Sequence, residues 1–232
     1  MSAERYSQLI AKDGFCIIPQ FLTKKQIETL KTALNLVIAQ RKLPKYGLRR
    51  LLELVPEVQQ ICTSVAVHSL VASITGKKVI PIRSLFFDKN HQASWSVSWH
   101  QDLTIAVRKN IETPGFYPWS IKAGIPHVQP PIEILESIIT LRFHLDNANW
   151  SNGCLQLMPG SHKHGLLNSE KMQKLKSTAI NSPTSAGDIL IMKPLLVHRS
   201  QTAKQPSHRR IIHIEFSSTQ LPNNLQWYSK EF

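Results

Sequence analysis

Two histidines and an aspartate stand in an order that could hold a metal ion: His100 and Asp102 in Ser98-Trp99-His100-Gln101-Asp102, and His198 in Pro194-Leu195-Leu196-Val197-His198-Arg199-Ser200. Two imidazoles and one carboxylate occupy three corners of a metal and leave the opposite face open. A non-haem Fe(II) oxygenase needs this arrangement to bind a co-substrate and O₂ side by side. His100 and Asp102 are i and i+2, so on a strand their side chains leave the same face. His198 has to come from a strand distant in sequence and adjacent in space. Alone, His-x-Asp is a weak signal, because an Asp beside a His is often only its hydrogen-bond partner; the distant His and the arginine after it strengthen the set.

A co-substrate such as 2-oxoglutarate chelates through its keto acid end and leaves a second carboxylate to be gripped. Arginine suits that task, since its planar fork binds a carboxylate bidentately and stays charged. Arg209 and Arg210 point to opposite faces of the last strand. Arg209 shares its face with Ile211, His213 and Glu215, and Arg210 with Ile212, Ile214 and Phe216. The more polar face is the better cavity lining, which favours Arg209.

The elements that must position these groups are of two kinds. After a short opening helix, Gly14–Phe21 reads as a strand. Thr23 to Gln26 forms a capping box ahead of Ile27, Leu30, Leu34 and Ile38 at helical spacing. A second helical stretch is predicted from Pro56 to Thr75, stopped by Gly76. From Val79 onward, short strands separated by Gly, Pro and Asn have the texture of an all-β sandwich or jelly roll. Strands are expected at Val79–Phe87, Val97–Ile105, Ile138–Asp146, Cys154–Met158, from Gly187-Asp188 through His198, and at Arg209–Phe216. The long Arg108–Pro131 segment, with Phe116, Tyr117 and Trp119, reads as a lid or binding loop. In Ile138–Asp146 the polar positions Thr140, Arg142 and His144 alternate with apolar ones, and that polar face meets either solvent or the cavity of a barrel.

The chain has 232 residues, within the size of a single all-β domain, and is read as one: a helical layer over 1–78, a β core over 79–216 and a tail over 217–232. No apolar run approaches the length of a membrane span, and the first residues lack the pattern of a secretory signal. Cys16, Cys62 and Cys154 are too few and too scattered for a disulfide framework or a thiolate zinc site, so a reducing cytoplasm is expected. The excess of 28 Lys and Arg over 15 Asp and Glu raises nucleic acid as a partner. The basic residues are isolated doublets without interleaved aromatics, which favours an anionic small substrate or a solvated surface.

The segments WHQDLTIAV, TLRFHLDNANWSNGCLQLMPGSH, GDILIMKPLLVHRS and HRRIIHIEF resemble the phytanoyl-CoA dioxygenase family of Fe(II)- and 2-oxoglutarate-dependent oxygenases. The resemblance implies a mainly β fold with flanking helices, built on a double-stranded β-helix (jelly roll, cupin-like) core. It implies His100, Asp102 and His198 as iron ligands, Arg209 as the arginine that holds 2-oxoglutarate, and Ser200 as the hydroxyl assisting it. Thr140 and Arg142 then stand where the family faces the co-substrate; Arg142 replaces a frequently aromatic residue and either adds a contact to the co-substrate or meets an anionic substrate. The implied reaction uses O₂ and 2-oxoglutarate, releases succinate and CO₂, and hydroxylates or otherwise oxidises a C–H bond of a small molecule. Two rival readings are a non-catalytic jelly-roll module that binds a metal or ligand, and an oxygenase acting on a nucleic acid or other macromolecule.

Overall fold

The computed structural model describes residues 2–205 and 207–229. Its N-terminal helices form where apolar spacing and caps coincide. Helix α1 (Ala3–Asp13) starts at Ser2, whose side chain accepts from the Arg5 amide, and stops at Gly14 in the left-handed region. Strand β1 (Phe15–Ile18) follows. Helix α2 (Lys24–Gln40) opens with the expected capping box and buries Ile27, Leu30, Ala33 and Leu34. Strand β2 (Gly47–Arg49) and the short helix α3 (Leu51–Leu54) come next.

The helix predicted from Pro56 to Thr75 is two, α4 (Pro56–Cys62) and α5 (Val65–Thr75), meeting at 45°. Ser64 makes the break. Its hydroxyl donates to the Ile61 carbonyl at 2.7 Å and accepts from the Val67 amide at 3.3 Å, ending one helix and capping the next. Among the described residues no single helix is long and apolar enough to cross a membrane.

The remaining elements are β3 (Ile80–Lys89), β4 (Val97–His100), β5 (Ile105–Ala106), β6 (Trp119–Lys122), β7 (Ile125–Val128), α6 (Ile132–Glu136), β8 (Ile138–His144), β9 (Leu155–Leu157), α7 (Ser169–Lys174), β10 (Ile180–Ser182), β11 (Ile189–Met192), β12 (His198–Ser200) and β13 (Arg209–Ser217). They form three antiparallel sheets ordered β1-β11-β8-β13-β3-β2, β10-β9-β12-β4 and β5-β7-β6. The first two face each other through Leu155 and Leu157 of β9, Leu190 and Met192 of β11, and Leu196. Antiparallel sheets flanked by helices make this a jelly-roll core.

Register divides the six-stranded sheet into two faces. Leu141, Phe143, Ile212, Ile214 and Phe216 pack outward in one cluster with the helices. The inward rows are Arg209–Lys89, His144–Ile211–Phe87, Arg142–His213–Leu85 and Thr140–Glu215–Arg83. The polar face of β8 therefore lines the interior of the molecule.

Several expectations are corrected. The strand predicted from Gly187 through His198 is two strands in different sheets, because β11 ends at Met192 and the chain crosses over before β12. Strand β4 ends at His100, so Asp102 lies in the loop beyond it, where its amide donates to the Pro194 carbonyl at 2.9 Å. The predicted loop Arg108–Pro131 holds the β6–β7 hairpin of the third sheet. The first 78 residues are more than a helical layer, since β1 and β2 are the edges of the large sheet. The tail is anchored: Trp227 bridges Val107, and Leu225 and Trp227 are buried in the second core cluster. Residues 230–232 of that predicted tail lie outside the described residues.

Gly153 sits where two backbones nearly touch. Its φ is +79°, and a Cβ there would lie 2.6 Å from the Gln201 carbonyl oxygen. Gly76, also left-handed at φ +69°, has nothing within 4 Å. Gly76→Ala should cost only the conformational strain, about 1 kcal/mol, and Gly153→Ala about 2–4 kcal/mol because the clash is with backbone. Urea unfolding of the two variants checks the ranking.

Candidate active site

The metal-ligating atoms of His100, Asp102 and His198 all lie within 4.8 Å of one another. His198 is directly opposite His100 across the β12–β4 pair, and their rings are 4.1 Å apart between centroids. Asp102 Oδ1 is 3.9 Å from His100 Nε2, and Oδ2 is 3.8 Å from His198 Nε2. Each imidazole is aimed by its own strand. Nδ1 of His100 lies 2.8 Å from the Ser98 carbonyl, and Nδ1 of His198 lies 2.9 Å from the Leu196 carbonyl. A carbonyl only accepts, so both Nδ1 atoms carry the proton and both Nε2 lone pairs are free for a metal.

Electrostatics keep the set in its ligating form. Burial pushes the His198 imidazole down to about 4 against the pull of Asp102, so the ring is neutral near pH 7. Burial alone would raise the Asp102 carboxyl, but the His198, His213 and His100 rings and Arg83 hold it below the usual carboxylate range. Neutral imidazoles and an ionised carboxylate are the donor set of a facial Fe(II) site.

Beside the triad lies a pocket of unpaired cations. Arg209 and Lys89 face each other across β13 and β3, only 2% and 1% exposed. Lys89 Nζ donates to Ser200 Oγ at 2.6 Å and to the Gln201 carbonyl at 3.0 Å, while Arg209 Nη2 donates to Ser200 Oγ at 3.4 Å. The Ser200 hydroxyl in turn donates to the Gly153 carbonyl at 3.2 Å. Arg209 Nε and Nη1, Arg142 Nε, Thr140 Oγ1 and His144 Nε2 have no partner among the described residues. Nor does Lys89, Arg142 or Arg209 form an ion pair with a described carboxylate. Burial and the Arg209 and Arg142 guanidiniums push the Lys89 ammonium down to about 7. Orphaned donors around buried cations fit a carboxylate ligand.

Arg210 points the other way and is fully engaged. Its Nε and Nη2 grip Asp146 at 2.7 and 2.8 Å. On the inward face, Arg142 Nη1 lies 3.0 Å from His213 Nδ1, and His213 Nε2 lies 3.2 Å from Glu215 Oε1. Arginine can only donate, so His213 accepts at Nδ1 and donates from Nε2 to Glu215. Arg83 Nη1 binds the same carboxylate at 3.1 Å. The hydrogen bonds thus run from Arg142 through His213 and Glu215 to Arg83 along the inward face.

A protein-family model described as phytanoyl-CoA dioxygenase matches residues 10–211. The chain belongs to the phytanoyl-CoA dioxygenase family. Members are Fe(II)- and 2-oxoglutarate-dependent oxygenases, and the triad beside a cationic pocket is what those cofactors require. No curated protein sequence matches the chain. Among solved structures, AviO1 from Streptomyces viridochromogenes Tue57 is 22% identical with a TM-score of 0.69, over 96% of this chain and 97% of that one. The α-ketoglutarate-dependent carbocyclase SnoK from nogalamycin biosynthesis is 14% identical at TM-score 0.69, covering 94% and 86%. EctD from S. alaskensis, crystallised with 2-oxoglutarate and 5-hydroxyectoine, is 13% identical at TM-score 0.72, covering 94% and 76%. These likenesses establish the shared fold.

In this phytanoyl-CoA dioxygenase relative, the structure brings the ligating atoms of His100, Asp102 and His198 within 4.8 Å of one another and buries Arg209, Ser200, Arg142 and Thr140. Lys89 escaped because β3 runs two residues past its predicted end at Phe87. His213 and Glu215 were placed on the inward face but given no role. Replacing His100 or His198 by Ala should abolish stoichiometric Fe(II) retention after anaerobic dialysis. His162→Ala and His164→Ala, outside the cluster, should leave it intact. Metal analysis with circular dichroism distinguishes lost ligation from lost fold.

Proposed function

We propose that the whole chain acts as one domain, a hydroxylase that oxidises a C–H bond of a small molecule. His100, Asp102 and His198 are its iron ligands, and Arg209, Ser200 and Lys89 hold the distal carboxylate of 2-oxoglutarate. The observation that carries this reading is the pairing of a three-donor cluster, both Nε2 atoms freed, with buried cations that form no ion pair among the described residues. When bound, iron supplies the O₂ activation that couples 2-oxoglutarate decarboxylation to substrate oxidation.

The chain's own groups bind, orient and exclude. Arg209 supplies the fork, Ser200 carries hydrogen bonds from both cations, and Lys89 adds a second charge. Arg142, tied to the neutral His213, lies along the co-substrate rather than against the substrate, and Thr140 Oγ1 faces the same space. Asp102 would supply iron with a carboxylate ligand, which favours hydroxylation over halogenation. The β5-β7-β6 sheet walls the Asp102 side through a Lys122 Nζ to Thr104 Oγ1 hydrogen bond of 3.0 Å. Of the 28 Lys and Arg residues, three, Lys89, Arg142 and Arg209, are buried on the inward face, where a small anion rather than a nucleic acid could meet them. The three cysteines are free and buried, in keeping with a reducing cytoplasm.

Succinate release on admitting O₂ to protein preloaded with Fe(II) and 2-oxoglutarate tests the activity, and a metabolite screen by the same readout tests the substrate class. Arg209→Ala should weaken 2-oxoglutarate binding by roughly 30- to 150-fold, the loss of about 2–3 kcal/mol from a charge-assisted bidentate contact. Arg210→Ala, which breaks only the Asp146 pair, should leave it unchanged. Titration of the Fe(II)–2-oxoglutarate absorption band reads both.

Lys89 makes co-substrate binding depend on pH. In the empty site it loses its proton as pH rises through about 7, so the pocket then carries one charge fewer. Affinity for 2-oxoglutarate should be full at lower pH and fall above neutrality by up to about tenfold per unit. Calorimetric titration of the Mn(II)-loaded protein at pH 8 should show proton uptake, and Lys89→Met should remove both the uptake and the slope.

A further inference from the structure

Charged residues lie at both ends of the inward face. Arg209 and Lys89 mark one end. Glu215 and Arg83 mark the other, six residues further along β13, or roughly 20 Å at ordinary strand rise. At that second end Arg83 is committed: Nη1 donates to Glu215 and to the Thr104 carbonyl, both at 3.1 Å. Arg49 and Lys122 are not. Arg49 closes β2 opposite Leu85, in the row of His213 and Arg142. Lys122 closes β6 and reaches Thr104, two residues beyond the Asp102 ligand.

Neither Arg49 nor Lys122 forms an ion pair with a described carboxylate. Burial lowers both, and they feel the same neighbours: Arg83 and Arg49 repel Lys122, which is also close enough to Asp102 and Glu215 to be drawn by them. The wall between them is unfinished. His127, 1% exposed, gives its Nδ1 proton to the Ile125 carbonyl at 2.9 Å and leaves Nε2 as a bare acceptor. Arg83 Nε is likewise buried without a partner. Arg49, Arg83 and His127 line one small cavity with Leu85, Ala106 and Ile125.

Resting on the oxygenase reading above, we propose that Arg49 and Lys122 recognise an oxyanion of the substrate, a carboxylate or phosphate monoester, on the Asp102 side of the metal site and away from the Arg209 pocket. 2-Oxoglutarate held at Arg209 is too short to reach this end, so an anion bound by Arg49 and Lys122 belongs to a second molecule. The Arg83 Nε, without a partner among the described residues, adds a further donor to the cradle. A substrate anchored there lies across the Asp102 corner, with the rest of its chain directed over the metal face.

The test uses holoenzyme held anaerobically with Fe(II) and saturating 2-oxoglutarate, so that the Arg209 pocket is filled. Butanoate, butyl phosphate and neutral butanol are titrated while the Fe(II)–2-oxoglutarate band and the melting temperature are followed. Wild type should respond saturably to the anions and not to butanol, the tighter anion naming the headgroup. Arg49→Met with Lys122→Met should lose that response by about ten- to a hundredfold, and Arg49→Lys with native Lys122 should recover most of it. Lys122→Gln, which keeps a donor for Thr104, serves if the double variant does not fold. Anion binding that is absent from wild type, or equal in wild type and variants, overturns the proposal. So does loss of 2-oxoglutarate affinity in the variants, which would move the pair to the co-substrate. Failure of wild type to form the Fe(II)–2-oxoglutarate band would instead sink the oxygenase reading, and the melting-temperature arm would still report on the anion site.

Discussion

A guanidinium or ammonium buried away from water is costly unless a counter-charge meets it, and the inner face of the large sheet buries several. Arg209, Lys89 and Arg142 have Ser200, the Gln201 carbonyl and His213 as partners, all neutral. Hydrogen bonds to neutral groups lessen the desolvation penalty without cancelling the charge. The interior is therefore electrostatically incomplete, and the ligands that complete it are anions. Affinity for the co-substrate and the stability of the fold are two expressions of the same deficit, since an anion that fills the pocket stabilises the folded state by mass action.

The sheet can carry that deficit because its two faces do different work at every position. On β13, Ile212, Ile214 and Phe216 hold the helices in place, and the residues between them, Arg209, His213 and Glu215, furnish the site. The strand has no room for adjustment. A slip of one residue would set Arg209 among the helix-facing leucines and bring Arg210 inward. The Arg210–Asp146 pair, with a further hydrogen bond from the Arg210 amide to Asp146 at 3.0 Å, pins the start of the strand against such a slip. An arginine outside the site thus fixes the register that aims the one inside it.

Local rules were enough to find much of this. The i, i+2 relation of His100 and Asp102 survives although Asp102 lies beyond the strand, because the loop amide is held by Pro194, four residues before His198. The choice of Arg209 over Arg210 follows from alternation alone. What escaped depends on pairing between distant segments. Strand β2 is three residues long and has no pattern of its own; it exists because β3 offers an open edge. Lys89 is an ordinary lysine until register sets it across from Arg209. Lys122 sits in a segment whose length, prolines and two glycines read as a loop, and only the partner strand β7 makes it part of a sheet. The break at Ser64 was visible in principle as a cap residue within an apolar helical run.

His100 and His198 each hand their Nδ1 proton to a carbonyl two residues back in their own strand. A carboxylate in that place would draw the proton away and make the ring electron-rich. An uncharged amide oxygen does so far less, so both rings are modest electron donors. An iron held by these two rings and the single carboxylate would receive less electron density than one whose histidines were backed by carboxylates. The backbone would thus tune such a centre towards the ferrous form with no side chain beyond its ligands.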